Sequence, residues 1–398
     1  MNYYDVIITG SGPAGTSAAY RLAQAKLNVI ILEKEKLPRY KTCGGGVVLR
    51  AKNLLPVDIS SIVESSCHRS DIFELPKNLK YSTSRKDPLV FMTMRKNLDY
   101  HLLSECKKIG VSYRDDSKVI SISSQSNFIT ANTKTEKFSA RYIIAADGVN
   151  GKIADMAGFK ETRKVIPALE YEVYTDEFTY NRFSGSVRFD FGISKNGYAW
   201  VFPKKDHLSI GILNMKKSKD NLNNLFYYYL KMLGIENTIK LERHGYRIPI
   251  SPRKGTFLKN RVILTGDAAG FTDPVTAEGI TYAVYSGILA AEAIMTENFD
   301  ELNTAQHYNN SVKKLILPDI YAGKILAYMI YTHPKIRHFF LHKFGQKLSE
   351  LITDVITGGK TYSELLKNPV NYLKLLKMWL VKRNEKNKLK SNLPLAEN

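Results

Sequence analysis

Residues Gly10-Ser11-Gly12-Pro13-Ala14-Gly15 decide the fold of this 398-residue chain. They follow an apolar run, Tyr4 to Thr9, typical of a buried strand, and precede Thr16 to Gln24, which has the pattern of an amphipathic helix. In such a turn Gly10 permits the tight bend, Gly12 lets a phosphate approach the backbone and Gly15 lets helix and strand pack closely. The stretch therefore predicts a dinucleotide-binding unit, with the phosphates at the helix N-terminus.

A second strand and an acidic residue extend this unit. Val29 to Leu32 has the pattern of a buried strand, and Glu33 follows it. A carboxylate about 20 residues beyond the glycines accepts hydrogen bonds from a ribose diol. Glu33 is therefore predicted to bind the ribose, and the adjacent Lys34 is assigned to the same site.

Two later fragments indicate which dinucleotide is bound. Asp147-Gly148 is the first, and Gly266-Asp267-Ala268-Ala269-Gly270 follows another apolar strand, Arg261 to Thr265. A helix that opens at Glu278-Gly279-Ile280 would place its positive end where it stabilises negative charge on a reduced flavin. Its small residues are spaced for close packing against a sheet: Gly279, Ala283, Ser286, Gly287, Ala290 and Ala291. Taken alone, this fragment would equally fit an ordinary strand, turn and helix with a capping aspartate.

Together these fragments resemble the FAD-dependent reductases and monooxygenases of the glutathione-reductase-like and p-hydroxybenzoate hydroxylase-like flavoprotein fold. The resemblance implies that Asp267 binds the ribityl chain or a nearby phosphate, and that Gly279 and Ile280 offer backbone to the flavin ring. Arg95, which opens a helix from Lys96 to Ile109, matches a cofactor-facing arginine, and Val119, in a short strand, matches a backbone contact to adenine. The implied FAD-binding residues are Gly10, Gly12, Pro13, Ala14, Gly15, Glu33, Lys34, Cys43, Gly44, Gly45, Arg95, Val119, Asp147, Gly148, Gly266, Asp267, Pro274, Gly279 and Ile280.

The chain departs from that family pattern at two places. Many members have a serine and then an arginine after the Asp-Gly pair, where this chain has Gly151 and Ala154. Many also have glycine before the residue equivalent to Glu278, where this chain has Ala277. The contacts around both positions are therefore open.

A narrower resemblance, to the geranylgeranyl reductase family, comes from two stretches. Pro38 to Gly46 is similar to its cysteine-glycine loop, and Tyr198-Ala199-Trp200-Val201-Phe202-Pro203 with Gly211 is similar to its aromatic substrate motif, although Leu213 replaces a second glycine. With the flavin fragments, the resemblance covers about residues 1 to 300. It implies hydride transfer to a prenyl chain held by Tyr198, Trp200, Phe202, Pro203 and Gly211, with Cys43, Tyr198 and Trp200 as candidate catalytic residues.

The chemistry leaves alternatives. A reduced flavin passes hydride from N5 to a carbon-carbon double bond or reacts with oxygen to hydroxylate or halogenate, and the fold permits both. An isolated alkene also needs a proton, for which Cys43 or Tyr198 is the candidate acid. The structural alternatives are a small Cys43 fitted into a glycine loop and an aromatic set that is ordinary sheet core. His207 and Lys41 are interpreted as solvated or phosphate-facing. A non-enzymatic flavin-stabilised lipid-binding protein is the third hypothesis.

The composition of the chain limits its possible binding partners and its cellular location. The chain has 58 Lys and Arg against 38 Asp and Glu, a net charge of +20, which suits nucleic acid, an anionic membrane or an acidic substrate. No recognised RNA or DNA module accompanies the charge, which disfavours nucleic acid. Cys43, Cys67 and Cys106 lack disulfide or metal spacing, so we expect a reducing cytoplasm and no metal. The N-terminal strand leaves no room for a signal peptide, and no uncharged apolar run of ~18 residues predicts a membrane span.

The last residues suggest a membrane contact. Tyr372 to Val381 places apolar residues at helical spacing with lysines between them, and Trp379 among them suits a headgroup layer. A basic tail follows, containing Lys382, Arg383, Lys386, Lys388 and Lys390. The hypothesis is a protein peripheral to the inner face of an anionic membrane, against the alternative of a last packed helix with a solvated tail.

These observations predict an α/β fold. A Rossmann-like FAD-binding domain (1-75, 95-160 and 256-300) is interleaved with an antiparallel β-sheet substrate domain (76-94 and 161-255), and a helical C-terminal region with the basic tail follows (301-398). Apolar and polar residues alternate in Gly185 to Ile193 and in Tyr198 to Phe202, and a turn at 204–207 leads to a further strand, Leu208 to Leu213. The apolar face of the sheet that these strands form would cover the flavin. Because the chain has a single dinucleotide fingerprint, we expect FAD to be the resident cofactor, and NADPH, NADH or ferredoxin would dock transiently as the electron donor. The resemblance to geranylgeranyl reductases implies a prenyl-lipid or prenyl-diphosphate substrate as the partner.

Overall fold

The computed structural model describes residues 2–216 and 221–367. Its strands are β1 (Asn2–Thr9), β2 (Val29–Leu32), β3 (Gly46–Val48), β4 (Ser65–Cys67), β5 (Arg69–Glu74), β6 (Leu79–Ser84), β7 (Val90–Met92), β8 (Ser112–Arg114), β9 (Ser121–Ser124), β10 (Ile129–Asn132), β11 (Lys137–Ala145), β12 (Val165–Tyr174), β13 (Ser186–Phe191), β14 (Gly197–Pro203), β15 (Leu208–Asn214), β16 (Lys240–Pro249), β17 (Leu258–Lys259) and β18 (Val262–Leu264). Its helices are α1 (Pro13–Gln24), α2 (Leu49–Leu54), α3 (Arg95–Lys108), α4 (Ile153–Met156), α5 (Glu177–Asn181), α6 (Leu222–Met232), α7 (Gly266–Ala269), α8 (Ile280–Thr296), α9 (Glu301–Leu315), α10 (Leu317–Thr332), α11 (Pro334–Thr357) and α12 (Tyr362–Lys367).

The first sheet is a parallel sheet of the dinucleotide-binding type, as predicted. Its parallel strands lie in the order β18-β11-β1-β2-β8. Strand β17 pairs antiparallel with β18, and the β9-β10 hairpin pairs antiparallel with β11. Because both faces are covered, β2 is buried at all four positions, which is why its sequence is continuously apolar.

Helices α1 and α8 pack closely at one point. A Cβ on Gly287 would lie 2.2 Å from the carbonyl oxygen of Ala14, so glycine is needed for this approach. The sequence predicted that the small residues of α8 pack against a sheet, whereas Gly287 contacts the backbone of α1. The Oγ of Ser286 accepts a hydrogen bond from the backbone N of Gly266 at 2.9 Å, which ties α8 to the turn after β18.

The second sheet has the order β16-β12-β15-β14-β13-β5-β6. All neighbours are antiparallel except β13 and β5, and the predicted β14-β15 hairpin is present. Alternation divides its side chains between two faces. Leu169, Tyr171 and Val173 pack with α6 on one face, and Ala168 and Glu170 point to the other.

The remaining elements cover the second sheet and its junction with the first. Strands β3, β7 and β4 form a small antiparallel sheet. Helix α11 lies on β6, where the ring of Tyr81 occupies the space a Cβ on Gly345 would need, and Thr83 hydrogen-bonds Ser349 at 2.7 Å. Pro318 and Pro334 stand in the first turns of α10 and α11, which suits a residue without a backbone N–H donor.

Two sequence-based boundaries differ from the structure. Val119 was expected in a short strand, but pairing with β10 begins at Ser121, and Val119 instead packs into the core beside the parallel sheet. Strand β5, placed within 1-75, pairs with β13 over a hundred residues away, and local sequence carries no signal for that partner. The division into domains stays a prediction.

The predicted amphipathic segment 372–381 and the basic tail lie outside the described residues. Within the two described ranges, no helix has the length and apolar character needed to cross a bilayer.

Candidate active site

The parallel sheet brings the separate motifs to one edge. Gly10 follows β1, Glu33 follows β2, Asp147 lies just beyond β11, and Gly266 follows β18. Since these strands are parallel, their carboxyl ends meet at the same edge, where such sheets bind ligands. These motifs therefore surround one groove, although Gly10 and Gly266 are 256 positions apart in the sequence.

The glycine turn has the geometry that the sequence predicted. Gly10 has φ of +98°, and a Cβ there would lie 2.5 Å from the carbonyl oxygen of Ala146. A Cβ on Gly15 would lie 2.0 Å from the carbonyl oxygen of Gly10. Gly12 begins α1 without a side-chain cap, so the first turn offers backbone N–H groups to an anion.

Two arginines stand beside this helix N-terminus. Arg95 is buried, and its Nη2 lies 3.7 Å from the Cβ position of Gly12. Asp99 holds Arg95 through two hydrogen bonds of 2.9 and 3.0 Å and pairs with Arg39 at 3.0 Å. Arg39 also lies 3.6 Å from Glu33, so two carboxylates balance the two guanidinium groups. These contacts hold the Arg95 guanidinium beside the glycine turn, where it suits a diphosphate.

The predicted ribose acid is buried at the end of β2. Oε2 of Glu33 accepts hydrogen bonds from the backbone N of Ser11 at 3.0 Å and from its Oγ at 2.7 Å. This contact fixes the carboxylate beside the glycine turn. Lys34 is exposed and pairs with Glu35.

The Asp-Gly pair and the Gly-Asp pair are joined by Arg163, which the sequence did not single out. Arg163 Nη2 donates to the carbonyl of Val149 at 3.1 Å, and Nη1 donates to the carbonyl of Asp267 at 2.6 Å. A Cβ on Gly151 would lie 2.1 Å from Cγ of Asp147, so a serine there would displace that carboxylate. The departure noted at Gly151 therefore accompanies a close contact with Asp147.

The turn before α8 has a left-handed backbone conformation at Ala277, where glycine would be usual. Ala277 has φ of +58°, a region that costs an L-residue about 1–2 kcal/mol. The departure at Ala277 therefore leaves the left-handed conformation in place. Glu278 Oε1 accepts a hydrogen bond from Thr281 N at 2.8 Å, and Asp267 Oδ1 accepts one from Thr272 at 3.3 Å.

The cysteine-glycine loop is fixed by a buried lysine. Lys204 is fully buried, and its Nζ donates to the carbonyls of Gly44 at 2.6 Å and Thr93 at 2.9 Å. A Cβ on Gly45, where φ is +67°, would lie 2.0 Å from that Thr93 oxygen. The Sγ of Cys43 accepts a hydrogen bond from Gly45 N at 3.4 Å.

The aromatic motif forms a wall of the second sheet. A Cβ on Gly211 would lie 2.0 Å from Cζ2 of Trp200, so glycine makes room for the indole. The hydroxyl of Tyr198 donates to the backbone carbonyl of Thr276, and burial raises its pKa. A Cβ on Gly44 would lie 2.9 Å from the ring of Phe202. The wall therefore touches both the cysteine loop and the turn before α8.

One cavity collects most of these residues. Of the sequence-predicted set, its lining contains Gly12, Pro13, Ala14, Cys43, Gly44, Gly45, Arg95, Gly148, Tyr198, Trp200, Phe202, Gly266, Asp267, Gly279 and Ile280. The others, Gly10, Gly15, Glu33, Lys34, Val119, Asp147, Pro203, Gly211 and Pro274, do not line it. Phe189 lines it on the apolar sheet face that was expected to cover the flavin, and Glu170 and Tyr246 line it without having been predicted.

His207 was interpreted as solvated or phosphate-facing, and that is wrong for its imidazole. The ring is buried between Glu172 and Asp206, at 3.1 and 2.6 Å. Its turn position in the sequence gave no sign of the carboxylate on β12. Lys41 lines the cavity, and burial, with the nearby charge of Arg95, lowers its pKa.

The residues present fit FAD. The uncapped N-terminus of α1 with Arg95 provides for a diphosphate, and Glu33 stands at the position of a ribose acid. The Oδ1 of Asp147 is buried without a hydrogen-bond partner within the described ranges, as expected of a group that awaits a polar ligand. No cluster of His, Cys, Asp and Glu in the described part of the chain is arranged to hold a metal ion.

Comparisons with known proteins agree with this geometry. Residues 3–203 match the family model described as FAD binding domain. An uncharacterized protein of Methanosarcina barkeri is 33% identical over 81% of this chain and 84% of its own length. Digeranylgeranylglycerophospholipid reductase of Methanococcus vannielii is 25% identical over 94% of this chain and 97% of its own length. A geranylgeranyl bacteriochlorophyll reductase-like structure from Thermoplasma acidophilum superposes with a TM-score of 0.73 at 21% identity, covering 95% of this chain and 100% of that one.

Proposed function

Because the chain belongs to the geranylgeranyl reductase family of FAD-dependent oxidoreductases, we propose that it saturates carbon-carbon double bonds of a geranylgeranyl-type prenyl chain. The observation that carries the proposal is the cavity, in which one wall is the FAD groove and the other is aromatic sheet. Bound, reduced FAD would supply a hydride there. The chain's own task is then to hold an apolar substrate against the cofactor.

The groove residues would hold the cofactor in a defined order. The first turn of α1 and Arg95 would bind the diphosphate, and Glu33 would bind the ribose. Asp267 and the backbone at Gly279 and Ile280 would bind the ribityl chain and ring. Arg163 fixes the two loops on either side of that position, so it acts by positioning backbone.

The aromatic wall suits an isoprenoid chain. The rings of Tyr198, Trp200 and Phe202 belong to residues that line the cavity. Phe189 lies beside Tyr198 and Phe202, at 5.6 and 5.5 Å between ring centroids. A surface of this kind binds through burial of apolar area and excludes water from the reacting carbons. A polar or charged substrate would gain little from it.

The proposal also covers the headgroup of the prenyl substrate and the electron donor for FAD. The name of the M. vannielii relative supports a prenyl-lipid substrate, with a prenyl diphosphate as the alternative. NADPH, NADH or ferredoxin would reduce FAD by transient docking.

We place the protein in the cytoplasm, at the inner membrane surface. Its three cysteines are free thiols, as expected in a reducing compartment. Exposed apolar side chains on α10 and α11, Ile325, Tyr328 and Phe339, offer a surface for lipid.

The proposal is tested by anaerobic reoxidation. Holoprotein reduced with dithionite is mixed with geranylgeranyl glycerophospholipid, geranylgeranyl diphosphate or geranylgeraniol, and flavin absorbance is followed. We expect reoxidation without oxygen and fastest with one headgroup. Reoxidation only after air is admitted, with oxygen inserted into an added aromatic or lipid compound, would assign the protein to the monooxygenases. Reoxidation only in air, with no change in the mass of any added compound, would favour a lipid-binding protein.

A further inference from the structure

Glu170 is a buried carboxyl group that faces the cavity. It is 1% exposed, and its Oε1 accepts a hydrogen bond from Ser209 Oγ at 2.5 Å. Its Oε2 has no hydrogen-bond partner among the described residues. An unpaired buried carboxylate is costly, and the protonated acid avoids that cost. A protonated carboxyl that lines the substrate cavity is a proton donor in position.

Several elements set the charge around Glu170. The facing groups are Glu172 on the same strand, Ser209 on β15, His244 opposite on β16, Lys204 after β14, and Tyr40 and Cys43 in the loop before β3. Burial and the charge of Glu172 raise the pKa of Glu170. The Ser209 hydroxyl, the Lys204 ammonium and the backbone N–H of Cys43 lower it, and the result is about 7. The acid is therefore partly protonated near neutral pH.

Several titratable groups lie between this position and the surface. Ser209, which donates to Glu170, stands opposite Glu172 in the β12-β15 register. Glu172 Oε2 lies 3.1 Å from His207 Nε2, an ion-pair distance without hydrogen-bond geometry, and His207 Nδ1 lies 2.6 Å from Asp206 Oδ1. The Asp206 side chain is 70% exposed. Burial alone would lower the pKa of His207, but the two carboxylates outweigh it and raise that pKa.

We propose that Glu170 is the acid that protonates the alkene, and that Glu172, His207 and Asp206 return its proton from solvent. The inference rests on the proposed function. One alkene carbon forms a C–H bond with the hydride from reduced FAD, and the π electrons form a second C–H bond at the neighbouring carbon with the proton of Glu170. The O–H bond of Glu170 breaks, the alkene is reduced, FAD is oxidised, and the carboxylate regains a proton through His207.

The first test removes the proton donor. In an anaerobic single turnover, Glu170→Gln should lower the rate of flavin reoxidation by geranylgeranyl substrate about 10²–10⁴-fold, the usual contribution of a general acid. FAD affinity should not change. Glu242→Gln is the matched control, because Glu242 lies opposite Glu172 on β16 but is partly exposed and pairs with Lys240. An unchanged rate in Glu170→Gln, with wild type active, would overturn the proposal.

A second pair of variants separates proton donation from structure. Ser209→Ala removes a hydrogen bond that stabilises the carboxylate, so the loss of rate at high pH should move to higher pH. His207→Gln should keep the first turnover within about threefold and slow later turnovers at least tenfold, since only reprotonation is affected. An unshifted pH profile in the first variant, or equal slowing of all turnovers in the second, would contradict the assigned roles.

A third readout does not depend on activity. Infrared spectra of the resting holoprotein should show a protonated carboxyl band that titrates near pH 7 in wild type and is absent from Glu170→Gln. If wild type shows this band but never reduces a prenyl chain, the proposed function fails while the protonation of Glu170 stands. If the prenyl chain is reduced and the band is missing, the role of Glu170 fails alone.

Discussion

At the scale of single residues, the cavity depends on positions where a missing side chain makes room for a neighbour. Gly211 is the clearest, because the indole of Trp200 lies where its Cβ would be. Gly44 does the same for Phe202, and Gly45 for the Thr93 carbonyl. The aromatic wall and the cysteine loop are therefore shaped by glycines as much as by the rings.

We expect Gly211→Ala to displace the Trp200 indole. Overpacking of this kind costs about 1–3 kcal/mol of unfolding free energy, and kcat/KM for a prenyl substrate should fall about tenfold. FAD affinity should stay unchanged. Gly245→Ala on β16 is the control, since no atom lies within 4 Å of its Cβ position. Equal effects of the two variants on kcat/KM would show that the contact with Trp200 is irrelevant.

The three cysteines should differ in reactivity. Cys43 lines the cavity, whereas Cys67 and Cys106 are buried, and burial raises the pKa of each of these two thiols to about 12. Thiolates are the reactive form, so a small alkylating agent should modify Cys43 first, and bound FAD or substrate should slow it. Peptide mapping by mass spectrometry measures this. Earlier modification of Cys67 would contradict the burial described.

Glu170 also makes stability depend on pH. Its pKa rises from 4.5 in the unfolded chain to about 7 in the folded one, so the folded protein holds more protons between these values. Unfolding free energy should therefore fall as pH rises from 4.5 to 7. Denaturant titrations of wild type and Glu170→Gln measure it, and the slope should be smaller in the variant. Identical slopes would mean that Glu170 ionises normally.

Sequence reasoning reached the motif residues, including charged ones such as Glu33 and Arg95, but missed the roles of Glu170, Arg163 and His207. Gly10, Gly12 and Gly15 are recognisable because their spacing reflects local backbone needs. Glu170, Arg163 and His207 owe their environment to partners on other strands, which one sequence does not display. Alternation along β12 marks Glu170 as facing the same side as Ala168, and this is the local signal that was available.

At the scale of elements, the groove is assembled by two loops held together. Arg163 links the loop after β11 to the start of α7 through two backbone carbonyls. Helix α8 is joined to the same start through Ser286. The parallel strands were predictable from their apolar runs, whereas the pairing of β5 with β13 was not, because it joins distant segments.

Arg163→Gln should loosen the groove. Hydrogen bonds from a charged donor contribute about 1.5–3 kcal/mol, so we expect the Kd for FAD to rise about tenfold or more, as measured by flavin fluorescence on reconstituting apoprotein. Arg114→Gln is the control, because Arg114 is half exposed and its ion pair with Glu136 spans 3.8 Å. An unchanged Kd in Arg163→Gln would remove this residue from cofactor binding.

At the scale of the whole molecule, charge and apolar surface bear on location. The chain carries a net charge of +20, and its described part exposes Ile325 and Tyr328 on one helix. Deleting residues 370–398 should abolish sedimentation with anionic vesicles, since each basic residue near such a surface contributes about 1 kcal/mol. Vesicles of neutral lipid are the control. Unchanged binding to anionic vesicles would exclude the tail as the anchor.

The central claim is that the two faces of one cavity bring FAD and a prenyl chain together for reduction. The most direct measurement is the mass of the product after one anaerobic turnover of reduced holoprotein with the preferred geranylgeranyl substrate. The account predicts a product with two more hydrogen atoms for each flavin oxidised. A prenyl chain of unchanged mass, with flavin oxidised only when oxygen is present, would contradict it.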